Sequence, residues 1–323
     1  MDLKDNLLPT RSLGRTGLSV SSVGLGAWQL GTGAVANPAW ADGPDADVSY
    51  AIVQTALERG VNFFDTAPGY ASGRSEELLG AALEGRRGEV VLCSKFGHTA
   101  EGGTDWKASS IEASIEQSLT RFQTDYLDVV LLHSPPPELL DGSSPHYAEL
   151  ARLQASGMIH WYGASVDFGA SVDQLVSTTD SQVLEIWFNA LHQEPLPALE
   201  RAAAKGLGVI VKVPLDSGWL AGRYTADSVF SDVRTRWTPE QIARRADLAL
   251  RFGELLPDGL SMTHGALAFI LSEQFVSTVI PGAKSVDQLR DNVAAADVQL
   301  PQETVNAMRR LWENEIRDAP LPW

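Results

Sequence analysis

Val61-Asn-Phe-Phe-Asp65-Thr-Ala-Pro-Gly-Tyr70 is the most informative stretch of this sequence. Its first half is apolar and aromatic, which is typical of a buried strand. A Pro-Gly turn then leads to the tyrosine, and Ser75-Glu76-Glu77 supplies the acids that favour the first turn of a helix. We therefore predict a strand that ends at Asp65 and a loop that carries Tyr70 into a helix. Taken alone, an aspartate in a turn with a tyrosine packed on it also explains the segment, because short motifs are hypotheses.

Two later apolar runs end in residues that carry chemistry. Glu89-Val-Val-Leu-Cys-Ser-Lys95 ends in a lysine, and Tyr126-Leu-Asp-Val-Val-Leu-Leu-His133 ends in a histidine. The C-terminal ends of parallel strands lie side by side, and βα folds place their active sites at that face. We therefore expect Asp65, Tyr70, Lys95 and His133 to lie close together.

The same strand–helix unit recurs along the chain and predicts a closed (β/α)8 TIM barrel. We predict one domain over residues 1–323, with a loose tail over 1–10, an N-terminal β-hairpin over 11–20 and long loops at the C-terminal face. The predicted strands are 22–28, 61–65, 89–95, 126–133, 159–165, 182–188, 207–213 and 276–280. The predicted helices are 47–59, 75–85, 109–122, 147–156, 171–178, 196–205, 239–255, 262–274, 285–296 and 302–315, and Asp47 is the expected N-cap of the first.

Composition limits the classes of function. Apolar residues make up 44% of the 323 residues, which is enough for a large core, and the formal net charge is −16. Such a charge predicts no nucleic-acid partner and no anionic membrane partner. Cys93 is the only cysteine, which excludes an intrachain disulfide. We find no signal peptide and no apolar run of the roughly 18 residues that a membrane helix needs, so we expect a cytoplasmic protein and leave its oligomeric state open.

Glycine and histidine patterns argue against two other kinds of site. Gly31-Thr-Gly33-Ala-Val-Ala36 has the spelling of a dinucleotide fingerprint, but Asn37-Pro38 follows where a helix should begin. We therefore disfavour a Rossmann domain. No phosphate-binding P-loop is present, and the six histidines show no paired metal spacing.

The four residue types at these strand ends suit carbonyl reduction by hydride. The carbonyl oxygen gains negative charge, so it needs a proton donor beside it, and a tyrosine with an ordinary pKa near ~10 can serve. We expect the Lys95 ammonium to lower the pKa of Tyr70 and Asp65 to hold Lys95 in place. His133 can donate a hydrogen bond to the carbonyl oxygen and orient it.

The motifs Asp-Thr-Ala-Pro-x-Tyr, Ser-Lys-Phe-Gly and Leu-Leu-His-Ser-Pro, in this order, resemble the aldo-keto reductase superfamily. The resemblance runs from the Arg11 hairpin to Asn292. It implies a (β/α)8 barrel, a nicotinamide cofactor that is usually NADPH, and reduction of aldehydes or ketones without a metal. It carries a catalytic tetrad over to four positions, Asp65, Tyr70, Lys95 and His133.

At the nicotinamide, the sequence departs from the pattern of that superfamily. Ser165 matches a serine that holds the carboxamide, but Val166 replaces the asparagine that often follows it. Glu185 stands at a usual glutamine, and Lys212 stands where an aromatic residue often stacks on the ring. We hypothesise that Glu185 and Lys212 pair with each other, which relieves two costly charges.

Two other segments resemble the parts of that superfamily that hold the rest of the cofactor. Pro214 to Gly222 resembles the loop over the pyrophosphate, and Ile280 to Asn292 resembles the adenosine site, where Lys284 favours NADPH and leaves NADH possible. Gln288 stands at a frequent arginine. The resulting cofactor-binding candidates are Gly26, Trp28, Asp65, Ser165, Glu185, Lys212, Pro214, Leu215, Ser217, Gly218, Leu220, Gly282, Lys284, Ser285, Gln288 and Asn292.

Candidates for contact with a small-molecule carbonyl substrate lie in the loops. We select Trp28, Tyr70, His133 and Trp106. Further loop candidates are His98, Trp219, Phe230, Trp237, Arg223, Arg234 and Arg236. Ordinary packing is the competing explanation for the aromatic residues, and surface or loop ion pairs are the favoured explanation for the arginines. For Cys93 we expect a core role.

The sequence thus predicts an NADPH-dependent oxidoreductase in which Tyr70 supplies the proton. One alternative is a non-catalytic nicotinamide-sensing subunit like the channel-associated members of the superfamily. A weaker alternative is an isomerase or lyase on the same barrel.

Overall fold

The computed structural model describes residues 8–34 and 43–322 of the chain. Its main feature is an eight-stranded parallel sheet in which each strand pairs with the next along the chain. Its strands are β3 (Leu25–Gly26), β4 (Phe63–Asp65), β5 (Val91–Phe96), β6 (Leu127–His133), β7 (Ile159–Val166), β8 (Val183–Trp187), β9 (Gly208–Lys212) and β10 (Val276–Val279).

The sheet closes on itself between its first and last strands. Val23 bridges Val279 and Gly26 bridges Gly282, both in parallel, and the Gly24 N–H donates to the Val279 carbonyl over 2.8 Å. A Cβ atom on Gly26 would lie 2.6 Å from the Ile280 carbonyl oxygen, so this close approach requires glycine. The predicted (β/α)8 barrel is confirmed. The first strand is shorter than the predicted 22–28, because its flanks contact the last strand only through isolated bridges.

Helices surround the sheet and follow the predicted order. They are α1 (Ala46–Glu58), α2 (Arg74–Ala82), α3 (Ile111–Phe122), α4 (Pro145–Ser156), α5 (Gly169–Thr178), α6 (Leu196–Ala204), α7 (Pro239–Glu254), α8 (Met262–Leu271), α9 (Val286–Ala294) and α10 (Gln302–Glu315). The N-cap prediction was wrong: Asp45 caps α1 by accepting from the Val48 N–H over 2.8 Å, and Asp47 lies in the first turn. Among the described residues, no helix combines the length and the apolar character needed to span a membrane.

An antiparallel hairpin of β1 (Thr10–Ser12) and β2 (Ser19–Ser21) closes the N-terminal end of the barrel. Its Leu13 and Val20 are fully buried in one cluster with Cys93 and other inward-facing strand residues. Cys93 therefore has the expected core position. The predicted tail over 1–10 is corrected at Thr10, which begins β1, while residues 1–7 lie outside the described part of the chain. The C-terminal ends of the strands remain as the open face.

Candidate active site

Asp65 and Lys95 form a buried ion pair at the C-terminal ends of β4 and β5. Asp65 pairs in register with Cys93, so Lys95, two residues further on, points to the same side of the sheet. The Lys95 Nζ donates to both carboxylate oxygens of Asp65, over 2.6 and 2.7 Å, and to the Thr66 carbonyl over 3.0 Å. The pair predicted from the sequence is therefore present with both oxygens engaged.

A second carboxylate shares the same ammonium. Glu185 Oε2 lies 3.3 Å from Lys95 Nζ, and Glu185 is 1% exposed. Burial lowers the pKa of Lys95, but the charges of Asp65 and Glu185 outweigh it and raise that pKa well above its ordinary value. Burial and the Glu185 charge raise the pKa of Asp65, against the opposing effect of Lys95. One ammonium thus neutralises two buried carboxyl groups only in part.

Asp65, Glu185 and Cys93 are also the one set of potential metal ligands in residues 8–34 and 43–322, with their ligand atoms within 4.8 Å of one another. Since Lys95 Nζ contacts both carboxylates, an ammonium ion already supplies the positive charge at this position.

Tyr70 lies at the start of a tight turn that leads into α2. The next two residues, Ala71 and Ser72, have left-handed φ angles of 49° and 55°, a strained conformation that is common at functional sites. The ring centroid of Tyr70 lies 5.3 Å from Lys95 Nζ and 5.7 Å from the ring of His133. The strand ends therefore bring together the four residues that the sequence predicted.

The expected direction of the Tyr70 pKa shift is wrong. Burial raises the pKa of Tyr70 above its ordinary value, and although Lys95 lowers it, Asp65 and Glu185 raise it again. The main cause is burial of the phenol, which disfavours its charged form and outweighs the ammonium that the sequence analysis considered. The phenol is accordingly protonated at neutral pH, which is the form that donates a proton.

His133 ends β6 and presents a neutral ring. Its Nδ1 is buried and has no hydrogen-bond partner among the described residues, and the ring of His98 lies 4.7 Å away. Burial, together with the charges of Lys95, His98 and Lys212, holds the pKa of His133 well below its ordinary value. A neutral imidazole keeps one N–H donor for a ligand oxygen.

The low pKa of His133 predicts a pH dependence of stability. His192, stacked on Trp187 at 3.5 Å between ring centroids, has its pKa lowered by burial to about 4. Both histidines take up protons more readily in the unfolded chain, so stability is full above the unfolded pKa of about 6.5 and is lost as pH falls below it. We expect a loss of roughly 1.4 kcal/mol per pH unit for each group.

Urea unfolding at about pH 7.5 and about pH 5, with NMR titration of the histidines, checks this expectation. The resonance of His133, assigned by its absence in His133→Asn, should shift with protonation only at a pH well below that of an ordinary histidine. A His133 resonance that titrates near 6.5 would contradict the account.

Ser165, Glu185 and Lys212 lie on the neighbouring strands β7, β8 and β9 and form a hydrogen-bonded chain. Ser165 Oγ donates to Glu185 Oε1 over 2.8 Å, and Lys212 Nζ donates to Ser165 Oγ over 2.9 Å. The hypothesised direct pair between Glu185 and Lys212 is wrong. Lys212 pairs instead with Asp167 Oδ1, 3.0 Å away, because the serine lies between the two predicted partners.

A pocket of about 400 Å³ extends from Tyr70 across the C-terminal face to the start of α9. Most of the predicted cofactor-binding residues line it: Gly26, Trp28, Asp65, Glu185, Lys212, Pro214, Leu215, Ser217, Gly218, Gly282, Lys284, Gln288 and Asn292. Three others do not. Ser165 lies beneath the wall, Leu220 is fully buried, and Ser285 caps α9 by accepting from the Gln288 N–H over 3.2 Å.

The loop after β9 lines the pocket, and side chains of other segments hydrogen-bond to it and stabilise its conformation. Val213, Asp216 and Ser217 have φ angles of 53°, 46° and 55°, in the left-handed region. The Asn189 side chain donates to the Val213 carbonyl over 2.9 Å, and Arg245 of α7 donates to Asp216 Oδ2 over 2.6 Å. The sequence analysis missed Asp216 and Arg245, since nothing local to either residue indicates the contact.

Comparisons with known proteins agree with this geometry. The model of the aldo/keto reductase family matches residues 22–313. The chain belongs to the aldo/keto reductase family, which is a family of oxidoreductases. Its fold resembles that of the holo form of the aldo-keto reductase AKR11C1 from Bacillus halodurans, with a TM-score of 0.81, 26% identity, and coverage of 98% of this chain and 100% of that chain.

The relatives of this chain include named enzymes and a named channel subunit. An uncharacterized oxidoreductase, YqkF, from Bacillus subtilis is 29% identical over 96% of this chain and 98% of its own length. The NADH-specific methylglyoxal reductase of Escherichia coli is 28% identical, with 93% and 97% covered. A probable voltage-gated potassium channel subunit beta from Oryza sativa is 29% identical, with 89% and 91% covered.

Within this aldo/keto reductase, the loop aromatics divide into two groups. Trp28 lines the pocket, whereas Trp106 packs edge-to-face on Phe96 at 6.0 Å between ring centroids. Trp219 and Trp237 are buried in a separate cluster that includes Phe230, which favours the packing alternative for these three. Tyr224, which we did not select, lines the pocket.

The three loop arginines line the pocket, where the alternative of surface ion pairs does not place them. Arg223, Arg234 and Arg236 line it, together with Lys284. Arg234 also pairs with Asp232 and donates to the Ser217 carbonyl over 3.0 Å. With Lys212, five cationic side chains therefore line the pocket.

Proposed function

We propose that this protein reduces an aldehyde or ketone to an alcohol with a nicotinamide cofactor, preferably NADPH, and that Tyr70 supplies the proton. The observation that carries the proposal is one continuous pocket. Tyr70 and Asp65 line it beside the buried Lys95 ammonium and the neutral ring of His133, and five cationic side chains also line it: Lys212, Arg223, Arg234, Arg236 and Lys284. The negative formal charge of −16 further favours a small-molecule substrate in the cytoplasm over a nucleic-acid partner.

The lining of the pocket supports binding of an extended dinucleotide. Arg223, Arg234 and Lys284 are suited to phosphate groups, because charge-assisted hydrogen bonds to phosphate are short and strong. The loop after β9 contains left-handed residues at Val213, Asp216 and Ser217, a backbone conformation that recurs in loops that bind anions. When bound, the nicotinamide supplies the hydride.

The described residues supply the rest of the chemistry. His133 donates a hydrogen bond to the carbonyl oxygen and orients it beside Tyr70. The Tyr70 hydroxyl then gives its proton to that oxygen as negative charge develops there. Lys95 stabilises the phenolate that is left, and Asp65 holds the ammonium in position over two contacts.

A second candidate is a non-catalytic nicotinamide-sensing subunit. The similarity to the rice channel subunit favours it. We prefer the enzyme, because the four residues that carbonyl reduction needs lie together around Tyr70, which lines the pocket. Carbonyl-dependent oxidation of bound cofactor separates the two candidates.

A titration of the pure protein with NADPH and with NADH, followed by tryptophan quenching, tests the proposal. Trp28 lines the pocket and provides a signal. We expect both cofactors to bind, NADPH more tightly, and bound NADPH to be consumed when small aldehydes such as methylglyoxal are added. Binding of neither cofactor would overturn the proposal.

Lys284→Ala tests the cofactor preference. Loss of one charge-assisted contact to a phosphate is worth roughly 1.5–3 kcal/mol, or about ten- to a hundredfold in Kd. We expect the Kd of NADPH to rise by that factor and the Kd of NADH to stay unchanged. Lys205→Ala, which removes the same charge from an exposed position, is the matched control. Equal weakening of both cofactors would refute the assignment of Lys284 to the additional phosphate.

A further inference from the structure

The chain of Asp167, Lys212, Ser165 and Glu185 has no function in the proton transfer described above. It fixes the Lys212 ammonium in space, since Ser165 Oγ lies 2.9 Å and Asp167 Oδ1 3.0 Å from Nζ. Two of the three N–H donors of the ammonium are thereby directed away from a ligand, and one is left for it. Lys212 is therefore a charge with a defined position rather than a mobile surface lysine.

The ion pair of Lys212 and Asp167 presents its lysine, and not its aspartate, to the pocket. Lys212 lines the pocket that contains Tyr70, whereas Asp167 is not among the lining residues. The side chain of Lys212 is 16% exposed and that of Asp167 is 32% exposed, so solvent screens the carboxylate more than the ammonium. A ligand in the pocket thus faces the positive end of this pair.

The other charged groups near Tyr70 form ion pairs with one another. Lys95 lies between Asp65 and Glu185, at 2.6 and 3.3 Å, and all three are buried. These three groups carry one net negative charge if fully ionised. Asp65 and Glu185 also line the pocket, and Lys212 is the lining cation that the Ser165 hydroxyl links to Glu185.

The two forms of a nicotinamide cofactor differ by a charge on the ring, which is neutral when reduced and positive when oxidised. A ring that delivers hydride beside Tyr70 occupies the pocket that Lys212 lines. Resting on the function proposed above, we propose that Lys212, held by Ser165 and Asp167, makes the site favour the reduced over the oxidised cofactor. The site thereby retains the hydride donor and releases the spent cofactor.

The test compares the Kd of NADP⁺ with the Kd of NADPH in equilibrium titrations, without a carbonyl substrate. In Lys212→Met both forms lose the same hydrogen bond, so the ratio of the two Kd values isolates the charge. A charge roughly 6 Å away at an effective dielectric constant of about 20 changes such a ratio by about a hundredfold. We expect Lys212→Met to lower the ratio of Kd for NADP⁺ to Kd for NADPH by roughly that factor.

Asp167→Asn supplies the opposite change. It leaves the lysine charge uncompensated, so the same ratio should rise severalfold. Opposite shifts in the two variants would support the proposal, and a ratio unchanged in both, or shifted in the same direction, would overturn it. Lys212→Gln and Asp167→Asn keep the test decisive if Lys212→Met does not fold.

A fragment without the nicotinamide, 2′-phospho-ADP-ribose, is the internal control. It should bind the wild-type protein and all variants with the same Kd, which shows that the remainder of the pocket is intact. If the wild-type protein bound neither this fragment nor NADPH, the proposed function would fail, and this inference with it. If the wild-type protein and the variants bind the fragment and both cofactor forms, and the ratio of the two Kd values does not change between them, only this inference fails.

Discussion

Tyr70→Phe is expected to lower kcat for carbonyl reduction by about 10²–10⁴-fold, the usual contribution of a positioned general acid. The hydroxyl is the one atom removed, and the ring keeps its contacts with Lys95 and His133. Because the nicotinamide supplies hydride whether or not a proton donor is present, the Kd of NADPH should stay unchanged. Single-turnover oxidation of bound NADPH, measured beside the titration, checks both statements.

Tyr126→Phe is the matched control for that variant. Tyr126 stacks on His160 outside the pocket, so loss of its hydroxyl should leave kcat unchanged. A Tyr70→Phe protein that retains more than about a tenth of the wild-type kcat would remove Tyr70 from the role of proton donor.

Arg245→Met is expected to destabilise the protein by about 3–5 kcal/mol, because it leaves Asp216 buried without its charged partner. Arg245 is fully buried, and its guanidinium lies 4.3 Å from the Trp237 ring and 2.6 Å from Asp216 Oδ2. It also donates to the Pro322 carbonyl, which ties α7 to the C-terminal segment. Urea unfolding measures the loss. The affinity for NADPH should fall as well, since Asp216 lies in the loop that lines the pocket.

Two further variants separate the charge from the packing. Arg245→Met combined with Asp216→Asn removes the uncompensated charge and should recover part of the lost stability. Arg201→Met breaks an exposed pair with Asp173 and should cost no more than about 1 kcal/mol. Equal losses of unfolding free energy in Arg245→Met and Arg201→Met would show that burial of the Arg245–Asp216 pair does not determine its contribution to stability.

The sequence predicts the barrel well because its signals are local. Apolar runs of strand length alternate with helical periodicity, and closure brings the strand ends together without further information. Asp65, Lys95 and His133 each end such a run, so their proximity follows from topology alone. Tyr70 is five residues beyond Asp65, and a short turn cannot place it far away.

Contacts between distant segments explain what the sequence does not predict. Arg245 and Asp216 are 29 positions apart, and a fully buried arginine is rare enough that a surface position is the natural expectation. Lys212 pairs with Asp167 rather than with Glu185, because Ser165 lies between Lys212 and Glu185 and hydrogen-bonds to both. The pKa of Tyr70 depends on its burial and on several nearby charges, which a motif does not provide.

Transfer of deuterium from the cofactor tests the central claim most directly. The protein is loaded with NADPH that carries deuterium at the transferring position and is mixed with a panel of small aldehydes and ketones that includes methylglyoxal. The account predicts an alcohol with one deuterium on the former carbonyl carbon, formed by the wild-type protein and at a rate about 10²–10⁴-fold lower by Tyr70→Phe. Bound cofactor that keeps its deuterium with every carbonyl would contradict the account and favour the nicotinamide-sensing subunit.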